Sequence, residues 1–415
     1  MTHHVAIVMM NEWLGGEETA PFTGMEMEKE TQGGEEEEEE EEEHDQREEE
    51  GDAGFPVFSF LMCCPAFIVA FTGGFLISAL DSTQTQVQIS FAFCANGSTY
   101  NCTQGEYNIA YIQTALFVGA IIGALLCRII AERGRKLLLC SVSFAVIPGS
   151  ILSGLTPDGS SFGAVNAWYV LIIGRFISGI GMGFVCVSCP LFIGEVTPNA
   201  WRGNFNSLQF FMQSFGSFAA VVLSLAVQHP PGDPQYSNSV FDQWWWRVLL
   251  LLPVLFSGIS LLALSFIHET PYVLVKRGEE DIAKTFLISV HGDAVGQQEF
   301  EATVFSVRQW QQHIREGTGT PFQLLTGENG GEYLYALLIG IALGGLQNLS
   351  GARSLLTSSS RIFAQAGFSS IDANYLTVGL IGGLLISIYI SSVRQPLLSC
   401  RPSLCLVFTI HVTCC

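Results

Sequence analysis

Charge is what this chain lacks. Only 13% of its 415 residues are charged, against 49% hydrophobic, where about 25% charged is usual for a soluble domain. A body this poor in charge argues against an ordinary soluble enzyme and against a nucleic-acid-binding module. Histidine is sparse and dispersed. No nucleophile, base and metal-ligand set stands together along the chain. Zinc-type cysteine spacing is missing as well. The twelve cysteines are scattered, several of them inside apolar runs, as at Cys127, Cys140, Cys186 and Cys189. No enzyme, no cofactor and no metal is expected. No secretory leader is expected either, because the one early apolar run, residues 5–10, is short and has no basic flank.

The net charge of −20 is local. Residues 1–54 hold 20 acids against Lys29 and Arg47, and the remaining chain holds 18 acids against 16 bases. Residues 35–43 are all glutamate. Like charges at that density repel and bury nothing, so a disordered cytoplasmic tail is expected over 1–54.

What the chain has in abundance is long apolar runs. A helix crossing a bilayer needs about 20 apolar residues. Eight stretches meet that need: roughly 55–80, 107–130, 137–155, 166–193, 204–228, 244–267, 333–356 and 373–393. The loops between them segregate by charge. Arg133, Arg135 and Lys136 follow the second run, Arg202 follows the fourth, and Lys276, Arg277, Lys284, Arg308 and Arg315 follow the sixth. The loops 81–106, 156–165 and 229–243 hold no Lys or Arg. Basic loops stay in the cytoplasm, so the N-terminus is expected inside. Loop 81–106 then faces outward and carries two glycosylation sequons, at Asn96 and Asn101. Cys94 and Cys102 flank them, and a disulfide and two free thiols are equally compatible with the sequence. The stretch 268–332 is polar, with Ile282, Phe286, Phe300, Val304 and Val307 at helical spacing. It reads as short amphipathic helices beneath the membrane.

The expected fold is an all-α polytopic membrane protein. It divides into the tail 1–54, a six-helix bundle over 55–267, a cytoplasmic helical linker over 268–332, two helices of a second bundle over 333–393, and an atypical end over 394–415. Two bundles joined by a cytoplasmic linker is a transporter layout.

The fourth run carries the densest pattern. It opens with Gly174-Arg175, continues through Gly179, Gly181, Gly183 and Pro190, and leaves the membrane at Glu195, Pro198 and Arg202-Gly203. Small residues permit close helix packing in lipid. A charge inside such a run is expensive and marks a candidate site, although an arginine also snorkels to an interface. Basic turns and acids recur at the three cytoplasmic exits: Glu132, Arg133, Arg135 and Lys136; Glu195 and Arg202; and Glu269 beside Pro271. Together they suggest a gate of reversible ion pairs, while a plain positive-inside anchor accounts for the first of them alone.

In order and spacing these motifs resemble the sugar porter family of the major facilitator superfamily, which includes the glucose transporters. The family turn D/E-R-x-G-R-R/K becomes Glu132-Arg133-Gly134-Arg135-Lys136, one residue short. The span-four motif matches through Gly174, Arg175, Gly179, Gly181, Pro190, Glu195, Pro198, Arg202 and Gly203, with Phe192 at its aromatic position. The exit P-E-S-P-R-x-L becomes His268-Glu269-Thr270-Pro271-Tyr272-Val273-Leu274, with Tyr272 at the arginine. The resemblance covers about 57–393.

It implies alternating access around a monosaccharide held by amide and hydroxyl groups. Gln209 stands where the family keeps a sugar-binding glutamine, though an interhelical hydrogen bond explains it equally. In span seven Gln347 matches, Asn348 replaces a second glutamine, and Arg353 replaces an asparagine. Asp81 falls at the position that is aspartate in proton-coupled members, where it pairs with the span-four arginine, here Arg175. Without the family, Asp81 reads as the wet start of the outer loop. The family has twelve spans, so this chain resembles a C-terminally shortened member, with an incomplete second bundle. The expected partners are a hexose-like sugar, protons and the lipid bilayer, with no nucleic acid. The expected location is the plasma membrane. The alternative is a transport-inactive relative acting as a sensor or regulator, or a non-functional product. The sequence leaves the oligomeric state open.

Expression in a eukaryotic host tests the outer loop. Digestion with an N-glycosidase will lower the apparent mass of the chain, and the double replacement Asn96→Gln/Asn101→Gln will remove that shift. An unaltered chain that does not shift overturns the outward assignment of 81–106.

Overall fold

The chain's structure, a computed structural model, describes residues 57–91, 93, 103–157, 164–226, 240–315, 330–349, 359, 362–363, 366–368 and 370–398. The acidic tail, the two sequons, Cys94, Cys102 and Arg353 lie outside the described residues.

Among the described residues the architecture is helical. The long apolar runs form α1 (Val57–Asp81), α3 (Thr103–Ala131), α4 (Arg135–Gly154), α5 (Ala164–Val196), α6 (Asn199–Ser224) and α7 (Val240–Ser265), with a short α2 (Gln84–Ser90) after α1. Each of the six long helices contains a stretch apolar and long enough to cross a membrane. They coincide with the first six runs expected from sequence. Pro65, Pro148, Pro190 and Pro253 lie inside α1, α4, α5 and α7. Membrane helices tolerate such prolines because neighbouring helices re-satisfy the freed carbonyls. Residues 333–349 of the seventh expected run lie in α11 (Gly330–Leu349), the rest of that run lying outside the described residues, and the eighth lies within α12 (Ser370–Leu398). The apolar part of α12, Tyr375–Ile390, is shorter than a full span.

Between these sets lie α8 (Pro271–Arg277), α9 (Glu280–His291) and α10 (Asp293–Arg315). Pro271 occupies the first turn of α8, where its missing N–H costs nothing. Gly278 ends α8 at φ 85°. Its N–H bonds the Val275 carbonyl, and the Glu279 N–H bonds that of Leu274, which closes the helix tightly enough for α9 to fold back on it. Leu274, Val275, Ala283, Val304 and Val307 form the linker's own small core. Of the expected apolar face, Phe286, Val304 and Val307 are buried and Phe300 packs against them, while Ile282 stays half exposed. Phe286 and Leu287 also enter the main core, and the Phe286 ring meets Phe58 at 5.7 Å, edge-on. The linker is thus docked on the bundle end where α1 starts.

Two apolar clusters fill the six-helix bundle. One, nearer that end, includes Phe67, Leu139, Val142, Phe192 and Phe205. The other includes Phe75, Phe91, Ile112, Leu171 and Trp246. Close backbone approach holds the helices together. A Cβ added at Gly179 would overlap the Leu116 carbonyl, and one at Gly183 would overlap that of Ala120. Reciprocally, one at Gly119 would overlap the Phe176 carbonyl. The α3–α5 seam is therefore set by absent side chains on both helices. The other side of α3 is apolar and open, with Leu125 74% exposed and Ile121 63% exposed, as suits a lipid-facing surface.

Gly179→Val will abolish monodisperse protein in detergent extracts, measured by fluorescence-detected size exclusion. Gly258→Ala, where an added Cβ meets nothing within 4 Å, will leave the profile unchanged. A normal profile for Gly179→Val shows that the α3–α5 seam does not depend on backbone contact.

Candidate functional site

Two polar constellations stand out in the bundle. The first lies at the end where α1 starts, in the turn between α3 and α4. Arg135, at the first position of α4, donates from Nε to Glu195 Oε1 at 2.7 Å and from Nη1 to the Ala131 carbonyl at 2.6 Å. The two side chains of that ion pair are only 14% and 16% exposed. Partial burial removes competing water but also costs desolvation, so the larger effect is the uncompensated charge left if either partner is removed. Glu195 Oε2 accepts from the Thr270 hydroxyl at 2.7 Å. Glu269 Oε1 accepts from the Lys136 backbone N–H at 2.8 Å, and Lys136 Nζ reaches the Ile267 carbonyl at 2.7 Å. Glu269 Oε2 faces Arg277 at 3.8 Å. A Cβ at Gly134 would come within 2.7 Å of Glu269 Oε2, so a larger residue there would shift that carboxylate. The exits of α3, α5 and α7 are tied into one network through the start of α8.

Tyr272, at the position of the family arginine, stacks with Arg135, whose guanidinium carbon lies 5.4 Å from the ring centre. Burial pushes the Tyr272 phenol up from its usual range, with Arg135 pulling the other way.

Not every predicted gate residue joins by its side chain. Glu132 and Arg133 are exposed. They contribute their carbonyls instead, to Lys276 Nζ at 3.2 Å and Arg277 Nη2 at 2.8 Å. These carbonyls follow the C-terminus of α3, where cations are favourable. The Glu132 side chain lies 3.9 Å from Arg128, both largely exposed. Arg202 is exposed near the start of α6, and the described residues give it no place in the network.

The second constellation lies within the bundle. Arg175 is 2% exposed on α5. Its Nη1 donates to the Leu76 carbonyl of α1 at 2.9 Å. The charge of Asp81, the last residue of α1, acts on it through space. The structure thus brings the predicted pair into one neighbourhood. Asp81 Oδ1 accepts from Gln113 Nε2 of α3.

Gln209 is 3% exposed on α6, and its Oε1 has no hydrogen-bond partner. One turn further along, Gln213 and Gly216 pack their backbone against Gly74 and Phe71 of α1. Gln209 therefore belongs to the α1-facing stripe of α6, while Phe210 beside it is 51% exposed. Gln347 and Asn348 lie near the end of α11, and their side chains are outside the described ones.

Three residues of these sites escape sequence reading. Gln113 has only a weak signal, a lone amide within α3, and Thr270 stands in the exit motif without a role assigned to it there. Arg247 is the third. It is 4% exposed at the opposite end of the bundle, between the rings of Trp244 and Trp246 at 4.6 and 4.3 Å. Its guanidinium reaches the Thr156 carbonyl beyond α4 at 3.4 Å. The run Trp244-Trp245-Trp246-Arg247 is visible in the sequence, but its burial is not.

Comparison with known proteins places these features. The model of the "Sugar (and other) transporter" family matches residues 62–415. Hexose transporter 1 of Plasmodium knowlesi is 27% identical over 315 residues, covering 75% of this chain and 60% of that protein. Hexose transporter 1 of Toxoplasma gondii is 28% identical over 339 residues, covering 80% of this chain and 57% of that protein. The chain thus spans about three-fifths of the length of these relatives. A structure of the major facilitator proton:xylose symporter XylE, bound to 6-bromo-6-deoxy-D-glucose, superposes with a TM-score of 0.68 at 18% identity, covering 87% of this chain and 79% of that one. At that identity the likeness shows the fold. The chain is an integral, multi-pass membrane protein of the sugar (and other) transporter family, with the major facilitator fold.

Proposed function

We propose that this protein carries a hexose-like monosaccharide across the plasma membrane by alternating access, and that the movement is coupled to protons. The observation that carries the coupling is the buried Arg175 bonded to α1 at the Leu76 carbonyl, with Asp81 ending that same helix, in a member of this family. A carboxylate that gains a proton loses its hold on a neighbouring cation, so one proton changes how α1 and α5 are paired. The names of the relatives, hexose transporters, support the substrate class. Gln209, Gln347 and Asn348 are the proposed sugar contacts, since amides both donate and accept. For Gln209 the support is its unsatisfied buried oxygen, which needs a hydrogen-bond donor. Its place in the α1-facing stripe supports the second reading, an interhelical hydrogen bond.

The network of Arg135, Lys136, Glu195, Thr270 and Glu269 is the proposed cytoplasmic gate. Its ion pairs hold the inner helix ends together in one state and part in the other. The basic loops support placing this end, and the N-terminus, in the cytoplasm.

Uptake of radiolabelled hexose in cells lacking their own hexose carriers tests the reading. The chain will accumulate sugar against its gradient, and Asp81→Asn will abolish accumulation while leaving exchange intact. Accumulation by Asp81→Asn ends the coupling role. No uptake by the unaltered chain at the cell surface favours the transport-inactive reading.

The gate has a separate measure in thermal melting of the purified protein. Glu195→Ala leaves the Arg135 cation partly buried without its partner, a loss of about 2 kcal/mol, or about 4 °C in melting temperature. Arg202→Ala will leave the melting temperature unchanged. Equal losses from the two would show that the network does not hold this end.

A further inference from the structure

Asp81 sits at the C-terminal end of α1. Helix-end carbonyls concentrate partial negative charge there, so a carboxylate is unfavourable unless donors or cations meet it. Two groups do. Gln113 of α3 donates Nε2–H to Asp81 Oδ1. Arg175 of α5 interacts with the Asp81 charge from within the bundle. Of the other elements at this end, α2, with the sequence QTQVQIS, is uncharged, the acid on α3 is Glu106, two turns before Gln113, and α7 carries the buried Arg247, whose guanidinium reaches the Thr156 carbonyl.

The guanidinium of Arg175 is only partly satisfied. Its Nη1 is given to the Leu76 carbonyl. Its Nε is enclosed and has no hydrogen-bond partner. An unmet guanidinium N–H inside a membrane bundle is costly. It marks a second place that a carboxylate would occupy favourably.

We propose that the Asp81 carboxyl has two positions, one on Gln113 and one on the Arg175 Nε, and that Gln113 is the positioning residue that sets the balance between them. This rests on the reading of Asp81 as the coupling carboxylate and adds a partner to it. The structure holds the Gln113 position. An amide N–H bonds a carboxylate more strongly than it bonds a neutral acid. A proton arriving from water on Asp81 therefore weakens its grip on Gln113 as well as its attraction to Arg175. The amide thus ties the protonation state of α1 to α3, a helix whose main seam is with α5.

A double-mutant cycle on the full chain in detergent tests this, because coupling energies isolate a pairwise contact. Melting is followed near pH 8 and near pH 5 for the unaltered chain, Gln113→Met, Asp81→Asn and the double variant. Gln113→Met will lower the melting temperature by about 2 °C near pH 8 and by less near pH 5. In the Asp81→Asn background it will have no effect at either pH. Equal effects with and without Asp81, or an effect that ignores pH, overturn the proposal. If Gln113→Met does not fold, Gln113→Asn, which keeps a shorter amide, takes its place in the same cycle. Melting requires no transport, so accumulation by Asp81→Asn would end the coupling reading without touching this outcome.

Discussion

A cation held where water cannot follow constrains the whole bundle. Arg175 is enclosed on a helix that runs through the apolar interior. In a medium of low dielectric its charge must be met by oriented dipoles and by an opposite charge, or the helix would not stay inserted. The Leu76 carbonyl supplies the first and Asp81 the second. Both come from α1, so the pairing of α1 with α5 is as much electrostatic as steric. Gly73 of α1, against Met182 and Val185 of α5, permits the approach that this contact requires.

The two ends of the bundle solve the problem of exposed helix termini differently. Where α1 starts, full charges do it: Arg135, Lys136, Glu195 and Glu269 satisfy one another and the nearby backbone. At the other end aromatic rings dominate. Trp246 donates to Ser90 at 3.0 Å, Trp245 donates to the Leu223 carbonyl at 2.8 Å, and Arg247 lies between two indoles. Tryptophan suits a membrane interface because one part of it is apolar and the other donates a hydrogen bond. Ion pairs thus hold one end, and aromatic packing holds most of the other.

The six long helices were legible because length and apolarity alone define a span, and neither depends on distant contacts. The meeting of Arg135, Glu195 and Glu269 was legible too, since alternating spans return acids and bases to one side. What the sequence could not convey was rotation about each helix axis. Arg202 belongs to the same motif as Glu195 but is exposed. Glu132 and Arg133 take part through their backbone, a role that no side-chain pattern reveals. Gln209 carries the expected residue type on a stripe facing α1. Gln113 had no motif at all, and only the crossing of α3 past the end of α1 gives it meaning.

Tyr272 changes what kind of force closes the network. An arginine at that place would add one more ion to a cluster of ions, and every such contribution weakens as dissolved salt rises. The aromatic face instead attracts Arg135 through its quadrupole and covers it with carbon. That attraction is short in range and shielded from mobile counterions by the ring itself. The helix ends on this side of the bundle are therefore held by a contact with less dependence on ionic strength than an all-ionic clasp of the same size.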